Sequence, residues 1–163
     1  MESQNVFERI EKQVEKAGFR IDKQDRSRPW GGFFVIDESQ APHFIHTYFP
    51  HLSVADFAGY EKLSPKILLV APHKRLSWQY HFRRAEIWKV IGGKAGVVVS
   101  DTDAETPVRK LSLGDIINLK QGERHRLIGL EEWGIIAEIW QHTDPKHPSD
   151  EDDIVRVQDD FGR

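Results

Sequence analysis

Cysteine is absent from the 163-residue chain, which excludes disulfide staples, thiolate metal sites, iron–sulfur clusters and a cysteine nucleophile. Any metal must therefore rest on imidazole, carboxylate or amide donors. An excess of positive charge is missing too: 23 basic side chains stand against 26 acidic ones, a net charge of −3 with eight histidines neutral. No broad cationic surface is available to neutralise nucleic-acid phosphates, so DNA and RNA are not expected partners. Long apolar runs are lacking as well. The stretch Ile67-Leu68-Leu69-Val70-Ala71 falls far short of the roughly 20 residues that cross a bilayer, and no membrane partner is expected. The start, Met1-Glu2-Ser3-Gln4-Asn5, lacks the charged-then-apolar layout of a secretory signal, which makes a cytoplasmic location the expectation.

What is present suits one core. The length is that of one domain and 39% of the residues are hydrophobic, enough to build a single interior. Phe7, Ile10, Val14 and Ala17 recur at helical spacing, with Asn5 placed to cap, Glu8 three residues later and Gly18 ready to stop the turn, so a helix is expected over 5–17. Beyond it the texture changes to short runs of Val, Ile, Phe and Trp broken by Gly, Pro, Asp and Ser, the rhythm of an all-β sandwich or barrel. Strands are expected at 31–36, 44–49, 66–71, 76–81, 86–91, 95–99, 108–111, 115–119, 125–129 and 134–140. The five tryptophans fall in or beside expected strands, where an aromatic reads as core, and none is assigned to a ligand. Near the end, Asp150-Glu151-Asp152-Asp153 reads by composition as a solvated tail, but Ile154, Val155, Arg156 and Phe161 after it give the segment means to dock. The expected organisation is one domain over 1–163, with a helical extension at 1–20 and a C-terminal segment at 145–163 packing near the site.

The segment from Leu76 to Trp88 carries the chemistry. Residues two apart in a strand share a face, so Gln79 and His81 aim their polar ends together, and a bend near Phe82 to Ala85 would return Glu86 to the same interior. In Gly122-Glu123-Arg124-His125, a glycine turn feeds a fourth donor, His125, into a new strand. Two imidazoles, one carboxylate and one amide oxygen form a set suited to zinc, iron, manganese or nickel.

This spacing resembles the cupin superfamily. Gln79-x-His81, four residues, Glu86 and then Gly93 are similar to its first motif, with glutamine in place of the usual first histidine; Gly114, Gly122 and His125 are similar to the second. More narrowly, Arg28-Pro29-Trp30-Gly31, Leu76 to His81, Arg84-Ala85-Glu86-Ile87-Trp88, His125-Arg126-Leu127 and Glu151 through Arg163 resemble the type II mannose-6-phosphate isomerase family, over residues 28–163. Four positions depart from the pattern: Ile87 where the fused enzymes usually have histidine, Gly129 in place of an asparagine, His73 where cupins commonly have glycine, and Lys120 where proline is frequent. The loop from Ser39 to Ser64, with His43, His46, His51, Tyr48 and Tyr60, is longer than in the fused domain and is expected to reshape the sugar pocket.

The resemblance implies a mainly β fold, a cupin-type double-stranded β-helix or jelly-roll barrel with one N-terminal helix, and a homodimer. It implies a metal-dependent sugar-phosphate isomerase that interconverts mannose 6-phosphate and fructose 6-phosphate through an enediol, with zinc as the expected ion on Gln79, His81, Glu86 and His125. Arg84, Arg156 and Arg163 are the phosphate-clamp candidates, since guanidinium offers a planar fork to phosphate oxygens. For the proton shuttle, Lys66 is the first candidate, burial beside a cation being the setting in which a lysine serves as a base. His43, His46, His73 and His142 are the others. Two further readings stay open here: a non-catalytic cupin that binds a sugar phosphate or nucleotide sugar, and an iron-dependent oxygenase built on two histidines and a carboxylate.

Overall fold

A computed structural model describes residues 3–57, 62–144 and 146–162. The element order is α1 (Ser3–Lys16), β1 (Ile21–Arg28), β2 (Gly31–Ile36), α2 (Ala41–Tyr48), β3 (Lys66–Val70), β4 (Trp78–Tyr80), β5 (Arg84–Gly92), β6 (Ala95–Ser100), β7 (Arg109–Leu111), β8 (Ile116–Leu119), β9 (Arg124–Gly129), β10 (Gly134–His142) and β11 (Val155–Gln158). The strands form two sheets, β1-β2-β3-β10-β5-β8 and β11-β4-β9-β6-β7, and the named pairings are antiparallel. This is the mainly β architecture read from the sequence.

Strand alternation divides the apolar residues into two layers. Leu68 and Val70 of β3, Trp88 and Val90 of β5 and Ile136 of β10 pack between the sheets with Val97, Leu119 and Leu127. Their neighbours Ile67, Leu69, Ile87, Ile135, Ala137 and Ile139 point the other way and meet Phe7, Ile10 and Val14 of α1 and Phe44 and Ile45 of α2. The first sheet is thus covered on both faces, which is why β3 and β10 read as unbroken apolar runs rather than alternating ones.

Three expectations are corrected by this arrangement. Residues 44–49 are not a strand: Ala41, Phe44 and Ile45 are buried on one face of a helix that has proline in its first turn, where its missing N–H costs nothing. The period is 3.6, not 2. The N-terminal helix begins at Ser3 rather than after Asn5, while Gly18 with φ +94° does end it. None of the described residues of the long loop lines the cavity between the sheets; α2 lies on the outer face, where His43 Nε2 donates to the Ala17 carbonyl at 2.8 Å. Tyr60 lies outside the described residues.

Two strands escaped the sequence reading. β1 is a polar edge strand held mainly by its backbone pairing to β2, so it has no apolar face to betray it. β11 pairs with β4, setting Arg156 opposite Gln79. The C-terminal segment is fastened beyond its strand: Arg126, wholly buried, donates to Gln158 Oε1 at 2.6 Å, and Arg75 makes a bidentate pair with Asp160 at 2.6 and 2.9 Å.

Two of the motif departures are explained by packing. Ile87 belongs to the outer layer, on the strand face opposite Glu86. At Gly129 a Cβ would stand 1.9 Å from the Ala71 carbonyl oxygen, so the chain passes there only because the side chain is absent.

Phe44 is fully buried in the outer layer, so Phe44→Ala is expected to lower unfolding free energy by about 3–5 kcal/mol, measured by urea denaturation. A change within about 0.5 kcal/mol, the range of surface substitutions, would show that residues 44–49 do not pack as described.

Candidate functional site

Three strands bring the donors together. Gln79 of β4 stands opposite His125 of β9 in register, and His81 follows directly after β4. The chain then bends at Phe82 and Arg83, whose N–H groups both donate to the Asp153 carboxylate at 2.9 Å. The bend starts β5 in the phase that turns Arg84, Glu86 and Trp88 inward. Asp153, from the acidic run, thereby fixes the turn that returns Glu86 to the interior.

Glu86, His81 and His125 are all buried, and their ligand atoms lie within 4.8 Å of one another. Glu86 Oε1 is 3.2 Å from His125 Nε2 and 3.8 Å from His81 Nε2. The far side of each ring decides its protonation. His81 Nδ1 sits 2.6 Å from the Asp153 carbonyl oxygen and His125 Nδ1 3.1 Å from that of Glu123. A carbonyl only accepts, so both Nδ1 atoms carry a proton, and both Nε2 atoms turn toward Glu86; Arg84 Nη2 also stands 3.4 Å from His81 Nε2. Burial, aided by Arg84 and His125 and opposed by Glu86, pushes the His81 imidazole down to about 4, the deprotonated form a metal needs. Burial alone would push the Glu86 carboxyl up, but Arg84, His81 and His125 hold it well below the usual carboxylate range.

Two buried atoms in this group, Glu86 Oε1 and His125 Nε2, have no hydrogen-bond partner. Unpaired buried polar atoms cost about 1–3 kcal/mol each, and a divalent cation between them and His81 Nε2 would satisfy both. Gln79 lines the same cavity as Glu86; its Oε1 accepts from Ser77 Oγ at 2.6 Å and keeps a second lone pair. The residues present fit a bound metal.

Above Glu86 opens a cavity of about 370 Å3. Its lining includes Gln79, Lys66, Arg84 and Arg156 from the sequence reading, and Glu138, Glu151, Lys23 and Arg28, which that reading did not cast as site residues. Arg84 is fully engaged: Nε donates to Glu86 Oε2 at 3.1 Å, Nη1 to Ser149 Oγ and the Asp150 carbonyl at 3.0 Å, and its guanidinium stacks 3.6 Å over the Trp140 ring. It props the Glu86 carboxylate from behind. Lys66 Nζ pairs with Glu151 at 2.6 Å over the Trp140 ring. Arg156 and Lys23 are exposed at the cavity edge, and their side chains make no ion pair or hydrogen bond among the described residues. Arg163 lies outside the described residues.

None of His43, His46, His73 and His142 lines this cavity. His142 is occupied on both nitrogens, accepting from Ser149 N–H and donating to the Lys62 carbonyl. Of the residues that were missed, Glu138 had a signal: it is the lone charge in the apolar run Ile135 to Trp140. Lys23 had none, since exposed lysines look alike everywhere, whereas Arg28 and Glu151 lie in segments that carry the family resemblance but were given no role there.

Comparison with known proteins agrees with this geometry. Residues 42–159 match the family described as mannose-6-phosphate isomerase C-terminal. Two mannose-1-phosphate guanylyltransferases are similar in sequence: one from Salmonella montevideo, 27% identical over 98% of this chain and 28% of its own length, and one from Salmonella typhimurium, 30% identical over 83% and 22%. The chain thus spans about a quarter of the length of these relatives. Among solved structures, oxalate decarboxylase from Bacillus subtilis superposes with a TM-score of 0.58 at 17% identity, covering 83% of this chain and 30% of that one. The capsular polysaccharide assembling protein CapF from Staphylococcus aureus gives 0.54 at 12%, covering 86% and 34%. At such identities these two speak to the fold alone. No helix among the described residues is long and apolar enough to cross a membrane. Fold, buried donor group and sequence match together establish that the chain is a cupin and belongs to the mannose-6-phosphate isomerase C-terminal family.

Proposed function

We propose that this protein is a metal-dependent aldose–ketose isomerase acting on a sugar phosphate, with mannose 6-phosphate and fructose 6-phosphate as the pair its family points to. The observation that carries the reading is the junction of two features: a cavity lined by Glu86, the carboxylate on which His81 and His125 converge, and exposed Arg156 and Lys23 at its edge. His81, Glu86 and His125 would hold the ion, with Gln79 as the fourth donor. The set is one that zinc takes, and elemental analysis separates zinc from iron, manganese and nickel. When bound, the ion supplies Lewis-acid polarisation of the sugar oxygens at the reacting carbons.

The chain's own residues do the rest. The cavity volume is in the range of small-molecule sites, and the walls offer Trp30 and Phe33 beside the cations. Arg156, held opposite Gln79 by the β4–β11 register, reaches the phosphate from one side; Lys23 and Arg28 face it from β1. Arg84 keeps the Glu86 carboxylate oriented and is not free to take phosphate as well.

His125→Ala is expected to abolish stoichiometric metal by elemental analysis while the fold survives by circular dichroism; full metal content would remove His125 from the ligand set. Arg156→Ala is expected to keep its metal but raise the Michaelis constant for phosphorylated sugars about 10- to 150-fold, the loss of one charge-assisted contact of about 1.5–3 kcal/mol. An unchanged constant would take Arg156 out of the phosphate site. The reading as a whole is tested by screening aldose and ketose phosphates for exchange of solvent deuterium into C1 or C2.

A further inference from the structure

Glu138 is a buried carboxylate that the site's architecture does not require for metal or phosphate. It stands on β10 between Ile136 and Trp140, 5% exposed, and lines the same cavity as Glu86. Its two oxygens are held by indoles: Trp88 Nε1 donates to Oε2 at 2.9 Å and Trp140 Nε1 to Oε1 at 3.0 Å. No lysine, arginine or histidine forms an ion pair with it among the described residues. A lone buried carboxylate is costly, and two neutral N–H donors offset only part of that cost. Lys66 sits opposite it in register on β3, and β5 presents Arg84 and Glu86 to the same cavity.

Resting on the isomerase reading, we propose that Glu138 is the catalytic acid–base residue that carries the proton between the two reacting carbons of the sugar. In the aldose-to-ketose direction the C2–H bond breaks, its proton forms an O–H bond on the Glu138 carboxylate, and the C–H electron pair becomes the C1=C2 bond. The carbonyl π pair moves onto O1. The O2 proton then passes to O1, O2 becomes the new carbonyl oxygen, and Glu138 returns its proton to C1. Nothing is oxidised or reduced overall, and the carboxylate ends as it began.

The two indole donors fix the carboxyl plane, and each oxygen keeps a further lone pair for the sugar side. Burial favours the protonated form of this carboxyl, and a group that both takes and returns the substrate proton exchanges between its two forms. Lys66, by contrast, is paired with Glu151 and lies over the Trp140 ring, which suits it to hold an anionic oxygen.

The test uses the metal-loaded protein and its best phosphosugar. Glu138→Gln is expected to lower kcat and deuterium exchange together by about 100-fold or more, in the range of a lost general base, with metal content and Michaelis constant unchanged. Glu138→Ala, which opens room for a small acid, is expected to regain exchange when formate is added. Exchange at the wild-type rate in Glu138→Gln overturns the proposal. So does a Glu138→Ala protein that sheds metal and gains nothing from formate, since the residue is then a strut for the two indoles. A wild-type protein that binds phosphosugars but exchanges none overturns the isomerase reading itself, an outcome visible before any variant is made.

Discussion

A buried carboxylate oxygen faced by two imidazole Nε2 atoms is the constraint on which this molecule turns. Each histidine is oriented by a carbonyl behind it so that its Nε2 faces Glu86, and Glu86 Oε1 and His125 Nε2 are left without a hydrogen-bond partner, a deficit that a cation among the three groups would remove. Arg84 meets the other Glu86 oxygen at 3.1 Å and His81 Nε2 at 3.4 Å. Much of the surrounding chain keeps that unfavourable cluster in place: the Phe82–Arg83 bend, the Arg84 stack on Trp140, and the glycine turn before His125.

The C-terminal segment belongs to this apparatus. Its Asp153 carbonyl orients His81, its Asp153 carboxylate holds the bend, and its Ser149 and Asp150 hold Arg84. Glu151 meets Lys66 across the cavity and Arg156 stands opposite Gln79. A run of acids that looks like a solvated tail supplies hydrogen bonds that hold the donor group from behind, which accounts for the burial of Ser149 and Asp153. The outer layer of α1 and α2 performs a separate task, covering the far face of the first sheet so that β3 and β10 can carry the inward residues Lys66 and Glu138.

The sequence made the donor group legible because strand alternation and one bend suffice to join Gln79, His81 and Glu86, and the spacing to His125 resembled a known family. The cavity walls were less legible. Residue 138 stood out only as a charge among apolar neighbours, and Lys23 depended on recognising β1, a strand with no apolar face. The segment at 44–49 was misread because Phe44, Ile45 and Tyr48 satisfy both a short strand and one helical face; Pro42 at the start of the helix was the deciding residue. Ile87 looked like a damaged motif until its strand face was known, and it packs away from Glu86.

The central claim is that His81, Glu86 and His125 form one cation site. It is met most directly by adding zinc to chelator-stripped protein and following the melting temperature. Binding to the folded state alone must raise it in proportion to the logarithm of free zinc. The account predicts a clear rise for the wild type that is absent in Glu86→Gln. No rise in the wild type, or the same rise in Glu86→Gln, would contradict it.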